Sequence, residues 1–387
     1  MTALPRIAPP RIAYDARLSL GSYRGMGRYL RSLIAGREQQ LLGLCATGEY
    51  DPALRLIAHG MHAYPLWEQV SIPRLVRQNV IDVLIAPYNT APLLLPKPAR
   101  LILVVHDLIY LEPLPLSQSL YQNAGRLYRR SVTPRAIPRA DLILTVSEYT
   151  ARQIHTRFAV DPARLRVIPN SIGKEWYATS PRDMRERDTR EGKPPGFILT
   201  VAGEAPSKNL ARALQAFALC RNSNNLNHLK MKIAGVKPSF HPTFQAQAAA
   251  LGIADAVQLL PYLSDVEMQS LYREAEVLLM PSLAEGFGIP VLEAMAAGLP
   301  VVSSNAASLP EVGGEAAIYF DPLSVEQMAD TLHRTLFDGQ LREVMADRGR
   351  TQALRFHPDL IHSRVQSFWN EIEEPVKLVP TREFASC

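Results

Sequence analysis

The chain has 387 residues, 47% of them hydrophobic and 20% charged, which is the composition of a globular protein long enough for two domains with separate cores. Its net charge of +5 is too small to indicate nucleic-acid binding, and its three widely spaced cysteines form neither a disulfide nor a metal pattern. The first residues lack the apolar core of a signal peptide and no run of about 18 apolar residues exists, so we expect a cytoplasmic protein that is not integral to a membrane.

The first predicted strand, residues 11–15, is followed by a glycine-containing segment, residues 21–29, that leads into a helix. Gly25 and Gly27 suit a tight turn between a strand and a helix. No third glycine completes the dinucleotide-binding spacing, which disfavours a nicotinamide-dependent oxidoreductase. A tight turn accounts for the glycines but does not account for Arg28.

Further apolar runs alternate with helical stretches, which favours a parallel, doubly wound sheet. His106 and Asp107 follow one of these strands, at the carboxyl edge where such sheets bind ligands. A lone histidine is more often a structural residue, and we interpret Asp107 as orienting the loop. The predicted strands are residues 80–86, 101–105, 142–146 and 166–169, and the predicted helices include 119–132 and 147–158.

A basic run begins in the predicted helix 119–132. Its simplest interpretation is a solvated helix face. The alternative is contact with anionic lipid head groups or with a lipid-pyrophosphate acceptor. The run contains Arg126, Arg129, Arg130, Arg135 and Arg139, with Tyr121 and Tyr128 among them.

Residues 181–196 are charged, are bounded by proline and glycine, and contain almost no apolar side chains, so we predict a linker there. A second series of strands begins after it, and Lys208 follows the first of them in a turn before a helix. A lysine in such a turn can bind a phosphate, although a solvated lysine is the common alternative. The predicted strands are residues 197–203, 231–235, 257–260, 277–280 and 301–302.

Residues 281–303 are the most informative segment. Gly286 and Gly288 allow the backbone to turn close to a ligand. Pro290 fits the first position of a helix, and Gly298 ends that helix. The free N–H groups of a helix N-terminus attract phosphate.

Two glutamates lie eight residues apart in this segment, Glu285 in the turn and Glu293 in the early helix. An ionised carboxylate accepts paired hydrogen bonds, which matches the vicinal hydroxyls of a sugar. Solvent exposure is the usual fate of glutamate, but Glu293 lies on a helix of small apolar residues and therefore needs a partner. The spacing suits a sugar nucleotide held at both ends.

The segment resembles the Glu-x7-Glu signature of the retaining glycosyltransferases of family 4, and the resemblance continues through residues 301–314 and 319–322. It implies the GT-B fold, an α/β architecture with two Rossmann-like doubly wound parallel-sheet domains facing a cleft. The implied domains are residues 1–180, which bind the acceptor, and residues 197–359, which bind the nucleotide sugar. The final helix, from about residue 360 to residue 387, would cross back to the first domain.

The resemblance implies that Glu285 contacts the donor sugar and that Glu293 contacts the ribose. The backbone of Gly286, Phe287, Gly288 and Ile289 would lie at the sugar and phosphate. Lys208 would neutralise the donor diphosphate. Ser207 occupies the position where the family most often has arginine, and Arg28 is one candidate for supplying that charge.

The stretch Gly25-Met-Gly27-Arg28-Tyr29 resembles the family's first-domain loop beside the diphosphate, and His106-Asp107 resembles its His-Asp motif near the reacting centre. We therefore predict Glu285, His106 and Lys208 as catalytic residues. The residues predicted to bind the donor are Gly25, Gly27, Arg28, Gly286, Phe287, Gly288, Ile289 and Glu293.

The resemblance favours GDP-mannose as donor over rhamnose, fucose or glucose nucleotides, with a glycan or lipid-linked glycan as acceptor. We expect no cofactor and no metal ion. Peripheral contact with the inner face of the cytoplasmic membrane would use Arg126, Arg129, Arg130 and Arg135. A non-catalytic sugar-nucleotide-binding protein is the alternative, and a phosphorylase is disfavoured because no context for a pyridoxal phosphate lysine is found.

Overall fold

A computed structural model describes residues 9–21, 25–115, 119–177, 196–223 and 226–373. These residues form two parallel β-sheets, each covered by helices, as predicted for an α/β chain. All but the last residue of the predicted linker, 181–196, lies outside the described residues, so the domain boundaries stay a prediction.

The first sheet is built from residues before the linker. Its strands are β1 Ile12–Asp15, β2 Leu42–Cys45, β3 Leu56–Ala58, β4 Val83–Ala86, β5 Arg100–Val105, β6 Leu142–Thr145 and β7 Leu165–Val167. Their order across the sheet is β3-β2-β1-β4-β5-β6-β7, and every neighbouring pair is parallel. Its central strands are apolar except for Arg100 at the start of β5 and Thr145 at the end of β6, and all of their residues but Arg100 are buried, since helices cover both faces of such a sheet.

The second sheet is built from residues after the linker. Its strands are β8 Phe197–Val201, β9 Lys230–Ala234, β10 Val257–Leu260, β11 Val277–Met280, β12 Val301–Ser304 and β13 Ala317–Phe320. Their order is β10-β9-β8-β11-β12-β13, again with parallel neighbours. The carboxyl ends of β8 and β11, which pair with each other, therefore deliver Lys208 and Glu285 to one edge.

Helices connect these strands. They are α1 Gly25–Ile34, α2 Tyr64–Leu66, α3 Ile72–Gln78, α4 Leu120–Ala136, α5 Glu148–Phe158, α6 Leu210–Ser223, α7 His241–Ala250, α8 Asp265–Glu274, α9 Ile289–Ala296, α10 Leu309–Gly313, α11 Val325–Phe337, α12 Gly339–Ala353 and α13 Pro358–Glu373. A π-helical turn, Trp67–Ser71, joins α2 to α3. Ser147 caps α5 by accepting a hydrogen bond from the Thr150 N–H.

The sequence predicted the central strands but not β2, β3 or β13. Gly43 interrupts the apolar pattern of β2. Neighbouring side chains leave no room for a Cβ atom at this position. A Cβ there would lie 2.6 Å from Leu56 Cδ2 and 2.9 Å from the Tyr14 hydroxyl.

The final helix, α13, packs on the first domain, which confirms the crossing that the resemblance implies. The Trp369 indole N–H donates to the Leu33 carbonyl at 2.8 Å, and Glu371 pairs with Arg166 at 2.7 Å. Trp369 is fully buried, so this contact is part of the core and not a surface association.

The carboxyl edges of the two sheets meet across a cleft. Gly286 lies directly against the His106 carbonyl, and any Cβ at position 286 would overlap that oxygen. A second contact joins the two halves of the molecule. The Glu311 carboxylate accepts hydrogen bonds from the N–H groups of Glu148 and Tyr149, at 2.8 and 2.9 Å. A carboxylate at a helix N-terminus is stabilised by the helix dipole, so Glu311 joins the two halves.

Candidate functional site

The turn between β11 and α9 carries most of the predicted donor-binding residues. Gly288 is the N-cap of α9 with a φ of +112°, and a Cβ there would also meet Leu309 Cδ2 at 2.8 Å. Only glycine fits both conditions. Pro290 is the second residue of the helix, one position later than predicted, where its missing N–H is still outside the hydrogen-bond ladder. Because Pro290 has no N–H and the Val291 N–H already donates to the Gly288 carbonyl at 3.0 Å, Ile289 supplies the first-turn N–H that remains at the cleft.

Two of the predicted catalytic residues contact each other. The Lys208 ammonium lies 2.7 Å from Glu285 Oε1, and the Ser282 hydroxyl donates to the same oxygen at 2.7 Å. Both side chains are largely shielded from solvent, the carboxylate more than the ammonium. An ammonium beside a carboxylate can bind a phosphate on one side and sugar hydroxyls on the other.

Hydrogen bonds between turns hold this pair together. Asn209 adopts a left-handed conformation, and its amide donates to the carbonyls of Pro281 and Pro322 at 3.0 and 2.8 Å. The Leu283 N–H donates to the Ser207 carbonyl at 2.7 Å. The turn after β8 is therefore fixed on the turn after β11, although Ser207 itself adds no positive charge.

Glu293 is buried, with 8% of its surface exposed, and it accepts a hydrogen bond from the Tyr272 hydroxyl at 2.8 Å. Burial raises the pKa of its carboxyl to about 7, against the lowering effects of Tyr272 and the Arg28 charge. Tyr272 was not identified from the sequence, because an aromatic residue on an amphipathic helix is usually only a core residue. Glu293 thus has the partner that its apolar helix required.

The glycine segment is shorter than predicted, since α1 already begins at Gly25 and contains Gly27 and Arg28. Arg28 reaches across the cleft to Asp265 at 3.0 Å, a partner that no sequence signal indicated. Gly25, Arg28 and Ile289 line one small pocket of about 40 Å³. The structure therefore brings Gly25 and Arg28 to the N-terminus of α9, while Gly27 does not line this pocket.

His106 lies at the carboxyl edge of β5, as predicted, and is buried. Its Nε2 is 2.8 Å from the Pro87 carbonyl, which can only accept, so Nε2 carries the proton. Burial lowers the pKa of the imidazole to about 4, which leaves the ring neutral at pH 7. Its other nitrogen, Nδ1, is consequently an acceptor. The ring packs edge-on against Tyr29 at 5.1 Å between centroids.

A second cavity, of about 390 Å³, lies between α4, the loop after β5 and the turn before α6. Asp107, Arg126 and Arg129 line it. Asp107 also accepts a hydrogen bond from the Ile109 N–H at 3.0 Å, as expected of a residue that orients its loop. Arg130 and Arg135 of the same basic run are exposed, and the Arg130 guanidinium also donates to the Tyr110 carbonyl at 3.4 Å.

No cluster of three histidine, cysteine, aspartate or glutamate side chains that could hold a metal ion occurs in the part of the chain that the structure describes. Within the same residues, no helix is both long and apolar enough to traverse a bilayer.

Two family models match consecutive parts of the chain. Residues 25–175 match Glycosyltransferase Family 4, and residues 182–352 match Glycosyl transferases group 1. The fold, with two parallel sheets facing a cleft, is the GT-B fold of glycosyltransferases. The chain belongs to the family 4, or group 1, glycosyltransferases.

Several relatives are mannosyltransferases. An MMP alpha-(1->4)-mannosyltransferase of Mycolicibacterium hassiacum is 35% identical over 55% of this chain and 49% of its own length. The O-antigen chain mannosyltransferase B of Escherichia coli is 29% identical over 59% of this chain and 60% of its own. The chain thus spans between half and three fifths of these two relatives. The O-antigen chain mannosyltransferase RfbU of Salmonella typhimurium is 26% identical over 70% of this chain and 72% of its own length.

Solved structures share the architecture. WaaG, a glycosyltransferase involved in lipopolysaccharide biosynthesis, aligns with a TM-score of 0.69 at 19% identity, over 94% of this chain and all of its own. Anabaena HepE in complex with UDP-glucose aligns with a TM-score of 0.70 at 17% identity, also over 94% of this chain and all of its own. At these identities the likeness shows the fold.

Proposed function

We propose that this protein transfers mannose from GDP-mannose to a hydroxyl of a glycan or lipid-linked glycan during bacterial surface polysaccharide synthesis, with retention of the anomeric configuration. The observation that carries the proposal is the Lys208–Glu285 contact beside the Gly286–His106 junction of the two domains. It provides a cation for a leaving diphosphate and a carboxylate for a sugar at the point where the cleft closes.

The donor would lie along the turn from Glu285 to Ile289. Lys208 and the Ile289 N–H at the start of α9 stabilise the negative charge that develops on the diphosphate. Glu285 accepts hydrogen bonds from the sugar hydroxyls, and ionised Glu293 accepts them from the ribose. His106 Nδ1 accepts a hydroxyl hydrogen bond from the first domain's side of the cleft.

Two features support this arrangement over simple binding of a sugar nucleotide. The cleft places groups from both domains around one point, which positions two reactants together. Closure at the Gly286–His106 junction also excludes water, which suppresses hydrolysis of the donor. A binding protein without turnover requires only the groups of the second domain.

The donor base is tested by thermal shift with GDP, UDP and dTDP. A ligand at 100 times its dissociation constant stabilises the folded protein by roughly 2.7 kcal/mol, so the matching base should raise the melting temperature clearly above the other two. We expect GDP to do so. A larger shift with UDP would redirect the proposal to a glucose donor.

Transfer and stereochemistry are tested together with GDP-mannose and a pool of lipid-linked glycans. We expect release of GDP and a product whose new linkage is α, read from the anomeric proton in an NMR spectrum. GDP binding without release or transfer would support the non-catalytic alternative, and a β linkage would exclude retention.

Peripheral membrane contact is part of the proposal and rests on one face of α4. Leu120 and Tyr121 are 85% and 88% exposed, and Leu127 lies two turns along the same face. Arg130 and Arg135 are exposed nearby. Exposed apolar side chains with flanking arginines suit the surface of an anionic bilayer.

A further inference from the structure

The cavity of about 390 Å³ is a second site beside the donor residues. Its volume is within the range of small-ligand sites. Asp107 and Tyr110 form the wall on the first domain, and Pro206 and Ser207 form the opposite wall on the second domain. Because Ser207 precedes Lys208, whatever fills this cavity lies next to the predicted diphosphate position.

Arg129 is the cation of this cavity whose hydrogen-bonding groups are not already used. Its guanidinium lies over the Tyr110 ring, 5.8 Å from the centroid, and it makes no hydrogen bond or ion pair with any residue that the structure describes. Arg126, by contrast, donates to the backbone carbonyls of Tyr110, Glu112, Leu114 and Pro115 and so fixes the loop. Burial raises the pKa of the nearby Asp107 carboxyl, and the Arg129 charge opposes that rise without forming an ion pair with the carboxyl, so the planar fork of Arg129 is left to match a phosphate.

Asp107 connects the cavity to the donor residues. It lines the large cavity and also a small pocket of about 20 Å³ that it shares with Glu285. One carboxylate oxygen accepts the Ile109 N–H at 3.0 Å. A carboxylate has capacity for further donors, so Asp107 can also accept a hydroxyl of a ligand in the cavity.

We propose that this cavity binds the acceptor and selects one that carries a phosphate, with the acceptor hydroxyl on Asp107 and the phosphate on Arg129. This inference rests on the proposed function and names its acceptor class. In the reaction, the bond between mannose C1 and the diphosphate oxygen breaks and a bond from C1 to the acceptor oxygen forms. The acceptor hydroxyl proton passes to the leaving diphosphate, and GDP is released.

The experiment measures binding of glucose 1-phosphate and of uncharged methyl glucoside by calorimetry to protein saturated with GDP, so that the donor diphosphate site is filled. Hydrogen bonds to charged groups contribute about 1.5–3 kcal/mol, so Arg129→Gln should weaken glucose 1-phosphate at least tenfold. It should leave methyl glucoside unchanged. Arg139→Gln, which removes an equal charge from an exposed position just beyond α4, is the matched control.

A prenyl-pyrophosphate-linked glucose, tested in the same way in detergent, separates a lipid-borne from a soluble phosphate. Tighter binding of the prenyl compound assigns the phosphate to a lipid carrier, and tighter binding of glucose 1-phosphate assigns it to a soluble sugar. The proposal would be overturned if glucose 1-phosphate and the prenyl compound both bound no better than methyl glucoside. It would also be overturned if these phosphates bound equally to the parent protein and to Arg129→Gln.

A second variant tests Asp107. Asp107→Asn keeps an oxygen for the Ile109 N–H, so the loop keeps its shape. We expect transfer to fall at least tenfold while the thermal shift by GDP is unchanged, and an unchanged transfer rate would contradict the role. If GDP did not raise the melting temperature of the parent protein, the proposed function itself would be contradicted. The failure of this inference and the failure of the proposed function are therefore distinguishable.

Discussion

Replacing Glu293 by glutamine should make the protein more stable above neutral pH and weaken its binding of GDP. The carboxyl pKa is about 7 in the folded protein and 4.5 in its unperturbed form. A carboxyl with a higher pKa in the folded state takes up protons on folding, so the free energy of unfolding falls as the pH rises from about 4.5 to about 7. The difference between the two pKa values therefore lowers the free energy of unfolding at pH 8 by roughly 3 kcal/mol. Glutamine removes this loss, and its amide oxygen still accepts from Tyr272.

The assay compares urea midpoints of the parent and Glu293→Gln at pH 5 and pH 8, with GDP binding measured at pH 6 and pH 8. The parent should lose stability between the two values relative to the variant. Asp15, whose pKa burial also raises to about 7, contributes equally to both proteins and cancels. GDP should bind the parent up to about tenfold more tightly at pH 8 than at pH 6, because the ionised fraction rises through a pKa of about 7. A variant that is less stable at pH 8, or one that binds GDP as the parent does, would refute the reasoning.

Three other variants, one of them a double substitution, test the site and the surface. Glu285→Ala should lower kcat by about 100-fold or more while GDP still raises the melting temperature, and near-normal turnover would remove Glu285 from the mechanism. Gly286→Ala should lower kcat because its Cβ overlaps the His106 carbonyl and holds the cleft open, and small-angle scattering should show a larger radius of gyration. Leu127→Ser combined with Leu120→Ser should reduce sedimentation with anionic vesicles several-fold without changing transfer to a soluble acceptor, and unaltered sedimentation would place the membrane contact elsewhere.

Strands that are buried on both faces were the easiest part of the fold to predict. β11 is apolar throughout, and β5 and β6 are apolar except for one terminal residue each, so their length and their flanking turns identify them. β2 and β3 were missed because they are short and one carries Gly43, whose role is to make room for Leu56 and Tyr14. Such a steric requirement between distant residues leaves no local pattern.

The site was predictable where a strand, a turn and a helix follow each other in sequence. Glu285, Gly288 and Glu293 lie in one such unit, and Lys208 in another. The contacts between units were not predictable from periodicity. Tyr272 on Glu293, Asp265 on Arg28 and the cavity at Arg129 all depend on how the two domains face each other.

The basic run shows how structure separates residues that composition groups together. Arg126 donates to loop carbonyls, Arg129 faces the cavity, and Arg130 and Arg135 are exposed, although Arg130 also donates to the Tyr110 carbonyl. The helical period accounts for part of this, since residues three or four apart lie on one side of α4 and Arg126 therefore shares a side with Arg129 and Arg130. One stretch of sequence can therefore hold a loop, bind an acceptor phosphate and face a lipid surface. Because these roles lie on different sides of one helix, substitutions on its outer side should leave the cavity intact.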